Sequence, residues 1–148
     1  MIEYVKGDAT QPIARPAIIA HVCNDVGVWA KGFVIAVSKR WKTPELVYRK
    51  AHKLNLNMVQ FIDCDDEIIV ANMIAQRSVR GPLPLVRYEA LHICLERVAG
   101  EALRSGSSIH MPRIGCGLGG GRWEDVAPII EESCAKVRVV VYDLEKRP

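Results

Sequence analysis

The stretch from Met111 to Glu124, Met-Pro-Arg-Ile-Gly-Cys-Gly-Leu-Gly-Gly-Gly-Arg-Trp-Glu, restricts this chain more than any other part of it. An apolar run, Ile109 to Ile114, predicts a buried strand. Five glycines then fall between Gly115 and Gly121, and an amphipathic helix follows. Glycine lets the backbone take positive φ and approach a ligand closely, and the free N–H groups at a helix start carry the positive end of its dipole. A strand, a loop almost without side chains and a helix start together predict a phosphate or diphosphate site. A plain flexible turn explains one or two glycines but not five, because each costs entropy on folding.

Gly115, Gly117 and Gly120 also satisfy the G-x-G-x-x-G pattern of dinucleotide-binding domains. That pattern requires a helix and further strands after it, with an acid near the end of the second strand. Here one helix and one strand follow, and Asp143 closes that strand, so the pattern is read as a phosphate loop of another kind.

The 148 residues, 49% hydrophobic, are expected to form a single domain over 1–148 with a sizeable core. No apolar run approaches the roughly 18 residues of a membrane span, and Met1 to Val5 reads as a strand rather than a signal peptide. A soluble, cytoplasmic chain without membrane contact is expected, and a monomer. Cys23, Cys64, Cys94, Cys116 and Cys134 are odd in number and widely spaced, which predicts reduced thiols and neither a disulfide framework nor a metal site. The net charge of +3 suits an anionic ligand without demanding a nucleic acid.

In chain order, the first strand ends at the turn Lys6-Gly7-Asp8-Ala9-Thr10. Asp8 there is either a turn cap or a carboxylate that accepts from a ligand amine. Pro16 to Cys23 is a near-continuous apolar run, as in a strand covered on both faces, and it ends at Asn24-Asp25. A second glycine-bearing loop, Val26 to Gly32, follows. Trp29, Phe33, Val37 and Trp41 recur every four residues, a helical stripe. Two such loops facing one another would make a cleft. His21, inside the apolar run, reads first as a core histidine and second as an acid or base. Lys39 to Lys53 gathers six Lys or Arg against one acid, Glu45: a solvated helix face, or a patch for the phosphates of a polymer such as DNA.

Met58–Cys64 and Ile68–Ala75 flank Asp65-Asp66 and predict a hairpin. The irregular loop Gln76 to Pro84 follows, with Gln76 placed to reach a cleft at the sheet edge. Tyr88, Leu91, Leu95, Val98 and Ala102 predict a long helix ending near Ser105-Gly106, and Lys136 to Tyr142 the last strand. These elements imply an α/β chain with a mixed sheet between helices.

Three groups of residues carry a family resemblance: Gly7-Asp8-Ala9-Thr10, Ala20-His21-Val22-Cys23-Asn24 followed by Gly27 and Gly32, and Met111 to Leu118 followed by Trp123-Glu124. Across nearly its whole length the chain resembles the macrodomain family, three-layer α/β/α modules that bind ADP-ribose. It looks most like the branch holding terminal ADP-ribose protein glycohydrolases, antitoxin macrodomains acting on DNA and chromatin-remodeller modules. The resemblance implies that Asp8, with Ala9, takes the adenine amine and that Tyr142 lies near the adenine. It implies that Asn24, Gly27, Trp29, Ala30, Lys31, Gly32 and Phe33 hold the distal ribose. Ile114, Gly115, Cys116, Gly117, Leu118, Gly119, Gly120 and Gly121 would cradle the diphosphate. No cofactor or metal is implied; the partners are ADP-ribose and ADP-ribosylated macromolecules.

The chain departs from that branch at two points. It has Gln76-Arg77 where the glycohydrolase has a lysine, and Gly119 where an aspartate follows Gly-Cys-Gly-Leu. A lysine-based covalent route is therefore not expected, and Arg77 does not replace it because a guanidinium stays protonated. Hydrolysis would proceed by water attack on the anomeric carbon, with Gln76, Asn24 or His21 placing the water or moving its proton. A phosphatase of ADP-ribose 1''-phosphate and a non-catalytic reader are the alternatives.

Overall fold

The computed structural model describes residues 1–145. Six strands form one sheet: β1 (Ile2–Lys6), β2 (Ala17–Asn24), β3 (Val59–Asp65), β4 (Ile68–Gln76), β5 (Ser108–Met111) and β6 (Val139–Asp143). Their spatial order is β1-β6-β5-β2-β4-β3. Every pairing is parallel except the β3–β4 hairpin, so the sheet is mixed, as the sequence predicts.

Side chains alternate across each strand, and β2 shows how that builds three layers. Ile18 and Ala20 belong to a core shared with Leu91, Leu95 and Val98 of α3 (Tyr88–Ser105) and Val126 and Ile130 of α4 (Trp123–Ser133). Ile19 and Cys23 belong to another, with Val37 of α1 (Phe33–Arg40) and Tyr48 of α2 (Thr43–Lys50). Both faces of the central strand are covered, which is why its sequence is apolar throughout.

Several expected boundaries move, each for a local reason. The strand before the glycines stops at Met111, because Pro112 cannot donate to a ladder. Trp29 precedes α1, which starts only after Gly32 at φ 83. The basic stretch is two helices rather than one face: Trp41 is extended, and Pro44 opens α2. Pro128 lies inside α4 on its exposed side, where water can satisfy the carbonyl left without a donor. The last strand starts at Val139, after the turn that closes α4.

Candidate functional site

A cleft of about 840 Å³ lies across the carboxyl ends of β6, β5, β2 and β4. Four strands at about 4.8 Å spacing make a trough on the order of 14 Å long. Such a trough is long enough for an extended nucleotide, and the ends of parallel strands are where loops are free to bind one.

At the β6 end, Gly7 takes φ 149 and donates its N–H to Asp143 O at 2.8 Å, turning Asp8 and Ala9 into the cleft. Asp8 Oδ1 accepts from Thr10 N and from Thr10 Oγ1, both at 2.8 Å. Its Oδ2 accepts from no described residue, so Asp8 is both the turn cap and a carboxylate with a free oxygen. Tyr142 forms the wall. Its hydroxyl accepts from Ile13 N at 2.9 Å and meets His110 Nδ1 at 2.7 Å, while His110 Nε2 meets Ser108 Oγ at 2.7 Å. Burial holds the His110 imidazole at a pKa of about 4, so it is neutral at pH 7. A neutral imidazole carries one ring hydrogen, so one nitrogen donates and the other accepts, and His110 links Tyr142 to Ser108.

Across the middle, two loops converge. A Cβ on Gly32 would sit 3.8 Å from Leu118 Cδ1, and Gly32, Phe33 and Val34 bring the start of α1 to the cleft. Opposite lie Ile114, Gly115, Gly117, Leu118 and Gly119. Gly120 N donates to Gly117 O at 3.1 Å and Gly121 N to Gly115 O at 2.8 Å, which curls the loop on itself. The five amides from Gly115 to Gly119 donate to no described group. A run of unmatched N–H groups beside a helix start is an anion cradle. The sequence places this cradle at the start of α4; the cleft instead faces the first half of the glycine loop and the start of α1.

At the β4 end stand Asn24 and Gln76. Asn24 Oδ1 accepts from Val26 N and Val28 N at 3.1 Å and from the Tyr48 hydroxyl at 2.7 Å, and Nδ2 donates to Val28 O at 2.7 Å. Its amide therefore folds its own loop and keeps at most one hydrogen for a ligand. Gln76 Nε2 donates to Ser78 O at 2.9 Å, which leaves Oε1 open. His21 lies on the floor, 2% exposed, with Nε2 donating to Asn72 Oδ1 at 2.6 Å. Asn72 Nδ2 donates to Pro44 O and Gln60 Oε1, which fixes the direction of that amide and hence the histidine tautomer. Burial lowers the His21 pKa to about 4, against a smaller opposing effect of the Asn72 bond. At neutral pH His21 is therefore a neutral, weak base, and its Nε2 hydrogen is held by Asn72.

Of the predicted residues, Ala30 and Lys31 also line the cleft, whereas Gly27, Trp29, Cys116, Gly120 and Gly121 do not. Trp29 is 5% exposed and stands edge-on to His21, its Nε1 donating to Ser38. Gly27 faces Leu54, Cys116 packs on the α3–α4 side, and Gly120 lies under Leu83. Sequence reasoning missed Arg80, Val79 and Arg113 as lining residues. The irregular loop after Gln76 and the Met-Pro-Arg motif were their signals. Arg113 pairs with both oxygens of Asp143 at 2.6 and 3.0 Å and lies over the Tyr4 and Trp123 rings, which meet edge to face. In the basic stretch, Arg40 reaches Thr10 O and Arg49 pairs with Glu45 at 2.8 Å, so part of that charge is already matched.

Solved structures of similar chains carry the same architecture. A macrodomain protein from Streptomyces coelicolor is 45% identical, with 97% of this chain and 99% of that one covered and a TM-score of 0.84. The chain belongs to the macrodomain family. A second solved chain, a Bacteroides thetaiotaomicron protein of unknown function, is also 45% identical, with 97% of this macrodomain and 98% of that chain covered and a TM-score of 0.93. No family model matches the chain. Among curated relatives, mouse chromodomain-helicase-DNA-binding protein 1-like is 30% identical over 95% of this macrodomain, which spans only 17% of that protein's length. Bovine ADP-ribose glycohydrolase OARD1 is 29% identical, with 97% and 91% covered. The ADP-ribose 1''-phosphate phosphatase of Candida albicans is 28% identical, with 89% and 93% covered.

Proposed function

We propose that this macrodomain binds ADP-ribose along the cleft and releases it from modified macromolecules, protein or DNA, by hydrolysis at the anomeric carbon. The observation that carries the reading is the run of amides from Gly115 to Gly119, unmatched among the described residues, across from the start of α1 in a trough whose described lining holds one carboxylate, Asp8, against Lys31 and Arg80 and the Asp143-paired Arg113. A diphosphate between those loops leaves a base toward Asp8 Oδ2 and Tyr142, and a sugar toward Asn24 and Gln76. Relatives named as ADP-ribose glycohydrolase and ADP-ribose 1''-phosphate phosphatase support the same ligand.

In this reading, water attacks the anomeric carbon as the bond to the carrier breaks. The electron pair leaves with the carrier group, which takes up a proton, and the water loses one. The bound diphosphate offsets the positive charge that develops on the sugar, and Gln76 Oε1 holds the water by accepting one of its hydrogens. Gly119 brings no carboxylate into the cleft at Gln76, and among the described residues the only lining carboxylate, Asp8, is at the far end, which is the feature that favours a reader instead.

Calorimetry with ADP-ribose is expected to show binding that Asp8→Ala weakens; absence of binding removes the reading. Incubation with ADP-ribosylated protein and with ADP-ribosylated DNA is expected to release ADP-ribose from at least one. Binding without release from either would establish a reader.

A further inference from the structure

Asp25 lies behind the cleft wall and lines none of it. It nevertheless bonds twice to the strand end that carries Gln76. Its N–H donates to Gln76 O at 3.0 Å, and its Oδ1 accepts from Ser78 N at 2.7 Å. Ser78 sits at φ 61, a left-handed conformation that a residue with a Cβ rarely takes without support. A carboxylate on its amide is a charge-assisted hold of the right kind. Held so, Ser78 turns its carbonyl to Gln76, whose Nε2 donates to it at 2.9 Å.

A carbonyl can only accept, so the nitrogen of the Gln76 amide must face Ser78 and Oε1 must face the other way. Oε1 is turned to Gly119, where an added Cβ would be 3.3 Å from it. No described donor reaches Oε1. The amide therefore presents an acceptor, not a donor, to whatever enters that end of the cleft.

From this chain of bonds we infer that Asp25 is a positioning residue for Gln76: through Ser78 it fixes which face of the amide meets the cleft. This rests on the hydrolase reading above for its consequence in rate, but not for its geometry. Without the carboxylate, Ser78 relaxes toward negative φ, its carbonyl turns away, and Gln76 is free to flip and present N–H instead of oxygen. A water whose proton must be held then loses its acceptor, while the amide cradle for the diphosphate is untouched.

The test compares Asp25→Ala, Asp25→Asn, Gln76→Ala and the double variant Asp25→Ala with Gln76→Ala. Asp25→Ala is expected to lower kcat roughly ten- to a hundred-fold, as displaced reacting groups do, and to leave ADP-ribose affinity within about two-fold, well below that rate loss. Asp25→Asn, which keeps an acceptor for Ser78 N, restores kcat. The double variant is no slower than Gln76→Ala alone. Should Asp25→Ala fail to fold, Asp25→Glu, which displaces the carboxylate by one methylene, carries the same expectation. Additive losses in the double variant overturn the positioning role alone. A full rate in Gln76→Ala overturns both this role and the assignment of Gln76. In a protein that releases nothing, hydrogen exchange at the Gln76 side-chain amide decides: one Nε2 hydrogen protected from solvent exchange, with the protection lost in Asp25→Ala, supports the clamp, and exchange unchanged by the substitution overturns it.

Discussion

Each glycine of the central loop has its own reason to be there, and the reasons separate binding from folding. Around Gly117 nothing lies within 4 Å of an added Cβ, and the position lines the cleft. Gly117→Trp is expected to keep stability within about 0.5 kcal/mol, as exposed changes do, and to abolish ADP-ribose binding in calorimetry. Gly119 is the opposite case: an added Cβ would lie 2.9 Å from Gly115 O. Gly119→Ala is expected to cost about 1–3 kcal/mol in urea unfolding, because backbone must shift to admit it. The sequence shows five glycines in a row of seven and cannot tell these roles apart, since the close contact is with a carbonyl across a fold of the loop. Asn24 was legible as a polar strand end, but its use as the brace of its own loop depends on Tyr48, a turn of α2 that no spacing announces.

Among elements, strands were legible where periodicity was unambiguous, as in the β3–β4 hairpin and the apolar β2. What was not legible is what crosses between them. The Ile13–Tyr142 bond joins residues 129 positions apart, and with His110 it ties the segment after β1 to β5 and β6. His110→Phe removes the hydrogen-bond partner of the Tyr142 hydroxyl in a fully buried place. It is expected to cost about 1–3 kcal/mol and to weaken ADP-ribose binding by loosening the segment that carries Asp8. Urea unfolding and calorimetry on the same sample check both. If affinity falls while affinity for ribose 5-phosphate, which lacks the base, is unchanged, the effect lies at the base end, as the placement of Tyr142 requires.

For the whole molecule, the two buried histidines set a pH response. His21 and His110 have folded-state pKa values of about 4 against an ordinary 6.5. Between those values the unfolded chain binds protons that the folded chain refuses, so stability rises with pH through that window. The urea midpoint is expected to be level above pH 6.5 and to fall as pH drops toward 4. A midpoint independent of pH across that range would show that the histidines are not buried neutral. Below it, Asp143, held low by Arg113, adds a further loss as it protonates. None of this is visible in the composition, because four histidines in a sequence say nothing of which lie in the dry interior.

Two amides beyond the glycine loop, Leu85 N and Val86 N, both donate to Gly119 O, at 2.8 and 3.1 Å. The strap proposed to grip the diphosphate and the flap that follows Gln76 are thus riveted at a single oxygen. When ADP-ribose stiffens the strap, deuterium uptake at Leu85 and Val86 is expected to slow as well, so that arrival of the nucleotide's middle is felt at the end where its cargo hangs.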